Sequence, residues 1–339
     1  MSLLSNIAYA SGIYRLAAPF YGGHGHVLTL HRVTPAGNEP RIRWNKNLEV
    51  TPEYLDAVIE AYKKKGYAFL GMDELHEGLM NGTLKKPFVA FTLDDGYEDN
   101  FTHALPVFKK HNVPFCIYLC RALLEDRLEC WWSDLEDILL CYNRINFRGR
   151  EISLRTTQEK EAAYLEFRAS IIHTGFDSGY SLYRELMELY PPCKSYSAYR
   201  PLNHDQLLAL SREPLATLGA HTVHHYPLSR LEKEEASLEI AESKACVEAL
   251  IAQPVHHFAY PYGSADEAGT REFLLAEEAG FKTAVTTRNG NVFPEHAKSL
   301  MAIPRIALIE SDEEKRLYKM NTSGFLPAYL HRGRRVITD

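Results

Sequence analysis

Short apolar runs alternate with amphipathic segments along most of the chain. The first run, Val27–Leu30, precedes an amphipathic segment over Thr51–Lys65, in which apolar side chains recur at intervals of four and Thr51 is a candidate N-cap. Further runs that predict strands lie at 67–70, 87–93, 114–119, 216–219, 255–260, 283–286 and 302–308, and a helix is predicted at Met72–Met80, between the first two of these runs. Because repeated β-α units with short apolar strands are typical of parallel sheets and barrels, the pattern predicts an α/β fold of this kind.

Residues 122–205 interrupt this alternation. The stretch is rich in Glu, Leu, Tyr and Arg. Its helical patches lie at Trp132–Asn143, Gln158–His173 and Ser181–Tyr190. Since the alternation resumes near residue 216, we predict a helical insertion at 122–205 within a single domain that spans residues 1–339.

Two further helical segments have alternative interpretations. In the predicted helix Leu231–Ala252, acidic residues three and four apart indicate an ordinary solvated face. These residues are Glu232, Glu235 and Glu239. Near the N-terminus, apolar residues favour a helix that packs on the domain, with a membrane-surface segment as the alternative. The residues of this face are Leu3, Leu4, Ile7, Ala8, Tyr14 and Leu16.

Two consecutive carboxylates, Asp94 and Asp95, end the apolar run 87–93 and are followed by Gly96. Charged side chains are seldom buried unless they are paired or bind a metal. Neighbouring side chains of a strand point to opposite faces, so both carboxylates serve one site only if the strand ends here and Gly96 permits a sharp turn. In parallel barrels, functional groups gather at the C-terminal ends of strands, where this pair is predicted to lie.

A pair of histidines, His221 and His225, offers partners for these carboxylates. Residues four apart lie on one face of a helical turn, so we expect both imidazoles to point the same way. Neutral imidazole and carboxylate suit a zinc-type ion, and Asp95, His221 and His225 would leave one coordination position open, as catalytic metal sites do. The same ligands accept cobalt, nickel or iron.

Composition narrows the range of partners. The chain has 339 residues, of which 45% are hydrophobic and 24% charged, as is ordinary for a soluble globular protein. The formal net charge is -6, and the short Arg332–Arg335 segment is the strongest cationic cluster. Nucleic acid is therefore not expected as a partner.

Cysteine usage and the N-terminal segment bear on the compartment. The six cysteines show no Cys-x-x-Cys pair and no regular spacing, so we expect them to be reduced. They are Cys116, Cys120, Cys130, Cys141, Cys193 and Cys246. The N-terminus has neither a basic region nor a long apolar run, so no secretory signal is predicted and a cytoplasmic location is expected.

Three segments together resemble the polysaccharide deacetylases (NodB homology, carbohydrate esterase family 4). They are Thr92–Tyr97, His221–His225 and Phe258–Gly263, and the resemblance extends over about 27–121 and 206–309. Their joint occurrence in this order is specific, whereas any one alone would be a weak match. The resemblance implies a distorted (β/α) barrel of the NodB type and metal-dependent removal of acetyl groups from an N-acetylated sugar.

The resemblance also implies roles for single residues. Asp94 matches the family's general base, and the three proposed ligands match its metal triad. The third motif, which contains Tyr260 and Pro261, would place the backbone N–H of Tyr262 at the oxyanion. A further residue, Arg305, is a plausible cationic partner for Asp94, with a surface ion pair as the alternative.

The general acid departs from the commonest family pattern, a histidine in a late Leu-x-His motif. Here the late region offers His331 in Tyr329-Leu330-His331, whereas His31 follows the first predicted strand. An early histidine is similar to the circularly permuted subgroup that includes biofilm poly-N-acetylglucosamine deacetylases. We therefore predict His31 as the acid, with His331 as the alternative.

These inferences predict a metal-dependent hydrolase that removes N-acetyl groups from a poly- or oligosaccharide, with an activated water as the nucleophile. One alternative is a metal hydrolase of another amide or of an O-acetyl ester on the same barrel. The other is a non-catalytic carbohydrate-binding protein, which is disfavoured because both carboxylates and both histidines are present. The pattern favours neither a particular saccharide nor an oligomeric state.

Overall fold

A computed structural model of the chain describes residues 9–125, 128–173, 176–196 and 198–338. Its strands are β1 Gly25–Leu30, β2 Arg32–Val33, β3 Glu49–Val50, β4 Ala68–Phe69, β5 Phe88–Leu93, β6 Phe115–Leu119, β7 Arg144–Phe147, β8 Arg150–Ser153, β9 Ala216–Ala220, β10 His257–Ala259, β11 Thr283–Asn289 and β12 Ile303–Ala307.

The α-helices, in chain order, are α1 Ala18–Tyr21, α2 Arg43–Lys46, α3 Pro52–Lys64, α4 Met72–Met80, α5 Leu105–His111, α6 Arg121–Leu124, α7 Trp131–Cys141, α8 Thr157–His173, α9 Phe176–Leu189, α10 His204–Ser211, α11 Lys233–Ile251, α12 Thr270–Glu278, α13 Asp312–Thr322 and α14 Phe325–Leu330. Short 3₁₀ turns lie at Ile13–Ala17, Leu228–Arg230, Pro294–Lys298 and Leu300–Ala302, and a π-helical turn at Asn100–Ala104 leads into α5.

Seven parallel strands close into a barrel in the order β1-β12-β11-β10-β9-β6-β5, and the pairing of β5 with β1 completes the ring. The short strand β4 pairs with β5 beside the ring. Strands β1, β5 and β6 are buried along their whole length, which is expected where helices cover a parallel sheet. The predicted distorted (β/α) barrel is confirmed.

Several local predictions hold within this barrel. Helix α4 has the predicted bounds, and α3 begins after Thr51, whose hydroxyl accepts a hydrogen bond from the backbone N–H of Tyr54 at 3.1 Å. The cap satisfies one of the free N–H groups of the first helical turn.

The segment predicted as a helical insertion contains α7, α8 and α9 and also the hairpin β7-β8. These elements bury their own apolar cluster, which includes Trp131, Ile138, Tyr164 and Phe167. Tyr262 packs against the cluster from the barrel side. The inserted helices therefore lie against the end of the barrel that carries the third motif.

The cysteines differ from the expectation. Cys141 and Cys193 form a disulfide, whereas Cys116, Cys120 and Cys130 are buried thiols. The two partners are 52 residues apart in sequence, and folding brings their Cα atoms to 5.7 Å. Spacing along the chain does not reveal such a pair, and the expected cytoplasmic location, which relied partly on reduced cysteines, loses that support.

The residues of the predicted N-terminal apolar face differ in burial. Tyr14 is buried against Met320, whereas Leu16 is 71% exposed, so these two residues do not share one packed face. The other residues of the predicted face, at positions 3–8, lie outside the described residues. No helix in the described ranges is long and apolar enough to cross a membrane.

Candidate metal and catalytic site

The two carboxylates lie where β5 ends. Asp94 and Asp95 are almost fully buried, and the backbone turns through positive φ angles at Asp95 (77°) and Gly96 (93°). The Gly96 N–H donates to the Asp94 carbonyl at 3.0 Å and closes this turn. A left-handed conformation at Asp95 is costly for a residue with a Cβ, and it brings both carboxylates to one cavity, as predicted.

The three predicted metal ligands converge. Asp95 Oδ1 lies 3.4 Å from Nε2 of His221 and 3.4 Å from Nε2 of His225. Ligand atoms of the three side chains all lie within 4.8 Å of one another, and all three residues are buried. Burial raises the pKa of Asp95, but the adjacent imidazoles outweigh it and hold that pKa well below the usual value, so the carboxylate is anionic.

The hydrogen-bond pattern fits a cation. His221 Nδ1 donates to the carbonyl oxygen of Ala259 at 2.7 Å, which leaves its Nε2 lone pair facing Asp95. Asp95 Oδ1 is buried and accepts no hydrogen bond from any described residue. An anionic oxygen without a donor is costly inside a protein, and a divalent ion would satisfy both it and the imidazole lone pairs.

The histidines do not occupy a helical turn, contrary to our prediction. Residues 221–225 form a loop in which Thr222 and His225 have φ angles of 61° and 60°. The Thr222 hydroxyl accepts from the His225 N–H at 3.0 Å, as expected for a capping residue. The rings converge because this tight turn folds back on itself, and not because a helical turn places residues four apart on one face.

A buried glutamate holds this loop. Glu239 Oε2 accepts hydrogen bonds from the backbone N–H groups of Val223 (3.0 Å) and His224 (2.9 Å), and its other oxygen is 2.5 Å from His224 Nδ1. Glu232 and Glu235 are exposed, as predicted, but Glu239 is buried, so the prediction of a solvated face is wrong at this position.

The carboxylate of Asp94 forms a buried ion pair with Arg305. The guanidinium donates to both carboxylate oxygens, at 2.7 and 2.8 Å, and also to the carbonyl of Thr286 at 3.0 Å. Arg305 is only 1% exposed, so a surface ion pair is excluded. Burial raises the pKa of Asp94, but the Arg305 charge outweighs it and lowers that pKa, so the carboxylate stays ionised at neutral pH.

The two histidines considered as the acid lie in different places. His31 follows β1, lines the cavity and brings its Nε2 to 3.9 Å from Asp94 Oδ2. His331 Nε2 lies 3.1 Å from the carbonyl of Asn289, and His331 is not among the described residues that line the cavity. The geometry therefore favours His31.

The third motif contributes one of its three predicted residues. Tyr262 has a φ angle of 60°, and its ring lies 4.9 Å from that of His225. No hydrogen-bond acceptor for the Tyr262 N–H occurs within the described ranges. The side chain of Tyr260 is instead buried away from the cavity, where its hydroxyl donates to the Met301 carbonyl at 3.0 Å. Pro261 is buried and does not line the cavity either, so the structure does not bring these two predicted residues to the cavity wall.

The cavity has a volume of about 170 Å³, and part of its wall was not predicted. The inserted helices supply Trp131, Trp132, Tyr164 and Arg168, and the segment between β2 and β3 supplies Trp44, Asn45 and Leu48. Trp131 is 1% exposed, and its indole N–H donates to the Tyr262 hydroxyl at 3.1 Å. The ring centroids of Trp132 and His225 lie 5.1 Å apart.

Comparisons with known proteins agree with this architecture. PplD, a deacetylase from Streptococcus pyogenes solved with acetate, superposes with a TM-score of 0.58 at 20% identity, over 87% of this chain and 96% of that one. IcaB from Ammonifex degensii gives 0.54 at 15% identity, over 88% and 97%. A de-N-acetylase from Aggregatibacter actinomycetemcomitans gives 0.55 at 12% identity, over 87% and 99%. These likenesses establish the fold.

The family assignment comes from the sequence itself. No curated protein sequence matches the chain. The polysaccharide deacetylase family profile matches residues 81–284, which is more than half of the chain and includes both carboxylates, both ligand histidines and the third motif. The chain therefore belongs to the polysaccharide deacetylase family, whose members are hydrolases of carbon–nitrogen bonds.

Proposed function

We propose that this deacetylase removes N-acetyl groups from an amino sugar of the N-acetylglucosamine type with the aid of one divalent ion. Asp95, His221 and His225 would hold the ion. The observation that carries the proposal is the buried Asp95 Oδ1, which lies between two imidazole nitrogens and accepts no hydrogen bond from the described part of the chain. Zinc suits two imidazoles and one carboxylate best among the ions that accept these ligands.

An amide is a poor electrophile with a poor leaving group, so hydrolysis needs an activated water, a stabilised oxyanion and a proton for the nitrogen. When bound, the ion supplies a Lewis acid that acidifies water and polarises the acyl oxygen. The chain's own residues supply the remaining functions, and each of them lines the cavity.

Asp94 serves as the general base. Its carboxylate is ionised, and the bidentate contact with Arg305 fixes its orientation. As the water oxygen bonds to the acetyl carbon, Asp94 takes the proton that the water loses. The backbone N–H of Tyr262, which has no acceptor among the described residues, then donates to the oxyanion.

His31 serves as the general acid. It lies at the same cavity as Asp94 but is partly exposed, with 22% of its side-chain surface accessible. It donates a proton to the sugar nitrogen as the carbon–nitrogen bond breaks, so the products are acetate and a free amine. The early position of this histidine supports the circularly permuted subgroup, which stays a prediction.

The test is acetate release from N-acetylglucosamine oligomers, measured with and without a chelator. We expect chelation to abolish release and added zinc to restore it, because the ion is required for water activation. An O-acetylated oligomer provides the control for ester hydrolysis. Release of acetate that is insensitive to chelation would overturn the metal-dependent mechanism, and release from the ester alone would overturn the substrate assignment.

An exposed apolar face, which we call the terminal face, combines both ends of the described chain. Helix α14 packs against α1 and the preceding 3₁₀ turn. The terminal face consists of side chains that are each more than half exposed: Ile13, Leu16, Phe20, Tyr329 and Leu330. Exposed cations, Arg15 and Arg332, flank it. Apolar side chains beside cations are typical of segments that lie on anionic membranes.

We propose that the terminal face associates peripherally with an anionic membrane surface. The test is co-sedimentation with phosphatidylcholine vesicles that contain or lack phosphatidylserine. Leu16→Glu should reduce pelleting, because it places a negative charge in the apolar face, whereas Leu238→Glu should not, since Leu238 is similarly exposed on α11. Equal pelleting of both variants would contradict the proposal.

A further inference from the structure

One arginine in the cavity wall has a different environment from the other arginines of the insertion. Arg168 lies on α8 and lines the cavity beside Trp44. Its guanidinium carbon is 4.4 Å from the centroid of the Trp44 ring, and Trp44 is 43% exposed. A stacked guanidinium uses its face on the aromatic ring and keeps its N–H edge free to donate in the plane.

Three other arginines of the insertion have acidic partners. Arg148 pairs with Glu185 at 2.6 Å, Arg150 with Glu166 at 2.5 Å, and Arg184 with Glu129 at 2.8 Å. In the ranges that the structure describes, Arg168 has no acidic partner, and its guanidinium stacks on the ring of Trp44 instead. None of these three paired arginines lines the cavity, whereas Arg168 does.

The charge balance of the cavity also distinguishes the Arg168 guanidinium from the other charged groups. Arg305 neutralises Asp94, and the proposed ion would offset Asp95. The positive charge of Arg168 then has no counterpart among the described lining residues. A cavity with an unbalanced cation attracts an anionic ligand and orients it.

Arg168 shares its cavity with the reacting groups. It lines the same cavity as Tyr262, Asp94 and His31. Tyr262 carries the N–H that we assign to the oxyanion. A group bound by Arg168 would thus lie on the same substrate, close to the acetamido group under attack.

Other polar groups in this wall are already used. Asn45 is buried, donates to the carbonyl of Trp132 at 2.7 Å and accepts from the hydroxyl of Tyr164 at 2.6 Å. It fixes the segment between β2 and β3 against the insertion, so Trp44 and Arg168 are held opposite each other. The guanidinium edge of Arg168, in contrast, is available to donate to a ligand.

We propose that Arg168 and Trp44 form a subsite for an anionic group on the substrate, with a sugar ring against Trp44 and a carboxylate or phosphate on the guanidinium edge. The proposal rests on the proposed deacetylase function and names its substrate class: an N-acetylated amino sugar that carries, or is linked to, an acidic group. Planar carboxylates and phosphates match the fork of guanidinium donors.

Three probes separate the sources of negative charge. A hyaluronan tetrasaccharide provides N-acetylglucosamine beside a carboxylate, N-acetylglucosamine 1-phosphate provides a phosphate, and triacetylchitotriose is neutral. Binding is measured by calorimetry in the zinc-loaded His31→Ala protein, which keeps the pair of Asp94 and Arg305 intact, so affinities are obtained with little turnover. Acetate release by the wild-type protein is measured in parallel.

We expect at least one anionic probe to bind about 10-fold or more tightly than the neutral probe, as charge-assisted hydrogen bonds would produce. Arg168→Gln should lower the affinity for that anionic probe by about 10- to 100-fold and change the affinity for the neutral probe by no more than about twofold. Arg168→Lys should retain part of the preference, since it keeps the charge but not the fork. Arg150→Gln is the matched control and should change neither affinity, because Arg150 is exposed and paired with Glu166.

The outcomes decide between the two proposals. Equal binding of anionic and neutral probes, or equal weakening of both by Arg168→Gln in a protein that melts like the wild type, would overturn the subsite. Preferred binding of an anionic probe without acetate release from any probe would support the subsite and count against the deacetylase assignment for these sugars.

Discussion

The barrel and the inserted helices line the same cavity, but they position their side chains by different means. Asp94, Asp95 and His221 come from strand ends, are almost fully buried and are fixed by turns and hydrogen bonds. Trp132 and Arg168 come from helices that pack on a separate apolar cluster, and Arg168 is only partly buried. The barrel is suited to the chemical step, and the insertion is suited to choosing the substrate.

The comparison predicts that changes in the barrel reduce turnover most. Asp94→Asn keeps the shape of the side chain but removes the base and one of the two oxygens that accept from Arg305, so turnover should fall about 10²- to 10⁴-fold. Bound zinc should remain, because Asp94 is not one of the three ligands. Acetate release and metal content measured on one sample test this, and normal turnover would show that the base is another residue.

The two histidines considered as the general acid, His31 and His331, should differ in their effect on turnover. His31→Ala should lower turnover about 10²-fold or more, since it removes the proton donor for the leaving amine. His331→Ala should stay within about twofold, because His331 contacts the Asn289 carbonyl outside the cavity wall. The pH dependence of turnover in both variants provides a second measurement. A near-normal rate for His31→Ala would transfer the role to another group.

The loop of the ligand histidines should depend on a residue outside the cavity. Glu239→Ala leaves the N–H groups of Val223 and His224 without their acceptor, so zinc affinity should fall about 10- to 100-fold while turnover at saturating zinc changes less. Glu235→Ala is the control, because Glu235 is exposed on the same helix. Titration of zinc against a competing chelator measures the zinc affinity of both variants. Equal affinities of Glu239→Ala and Glu235→Ala for zinc would contradict the positioning role of Glu239.

His26, at the end of β1 opposite the cavity, should affect the stability of the fold and leave turnover unchanged. Burial lowers the pKa of His26 to about 4, and His26 contacts the Tyr62 hydroxyl at 2.9 Å. Above pH 6.5 the imidazole is neutral in both states, so its contribution is fully present. As the pH falls from about 6.5 towards 4, the unfolded chain binds a proton that the folded chain excludes, and the free energy of unfolding falls by up to about 3 kcal/mol.

Chemical denaturation at several pH values tests this stability prediction. His26→Gln should flatten the decline between about pH 6.5 and 4, because the amide does not titrate. His24→Gln, an exposed position two residues earlier, should leave the decline unchanged. If the His26→Gln protein loses stability as steeply as the wild type, the decline has another origin.

Local patterns were sufficient to predict most of the barrel and its chemical groups. Thr51 and the bounds of α4 follow from capping and periodicity, which depend on neighbours along the chain. Asp94, Asp95 and the histidine pair lie in short motifs whose chemistry is visible in their residue types. His31 needed the family resemblance, because a histidine after a strand is common.

The rest depends on contacts between distant segments. Glu239 serves a loop that lies 15 residues away in sequence, and Cys141 meets Cys193 across 52 residues. The stacking of Arg168 on Trp44 joins the insertion to a loop near the N-terminus. No local periodicity encodes such pairs, and for the same reason Tyr260 could not be separated from Tyr262 before the direction of each side chain was known.

Metal content tests the central claim most directly. Wild-type protein, Asp94→Asn and Asp95→Ala are dialysed against zinc and then against buffer, and the zinc per chain is determined by mass spectrometry. We expect about one ion per chain in the wild type and in Asp94→Asn, and almost none in Asp95→Ala, because one of its three ligands is missing. An Asp95→Ala protein that retains zinc at the wild-type ratio would show that the ion binds elsewhere and would contradict this account.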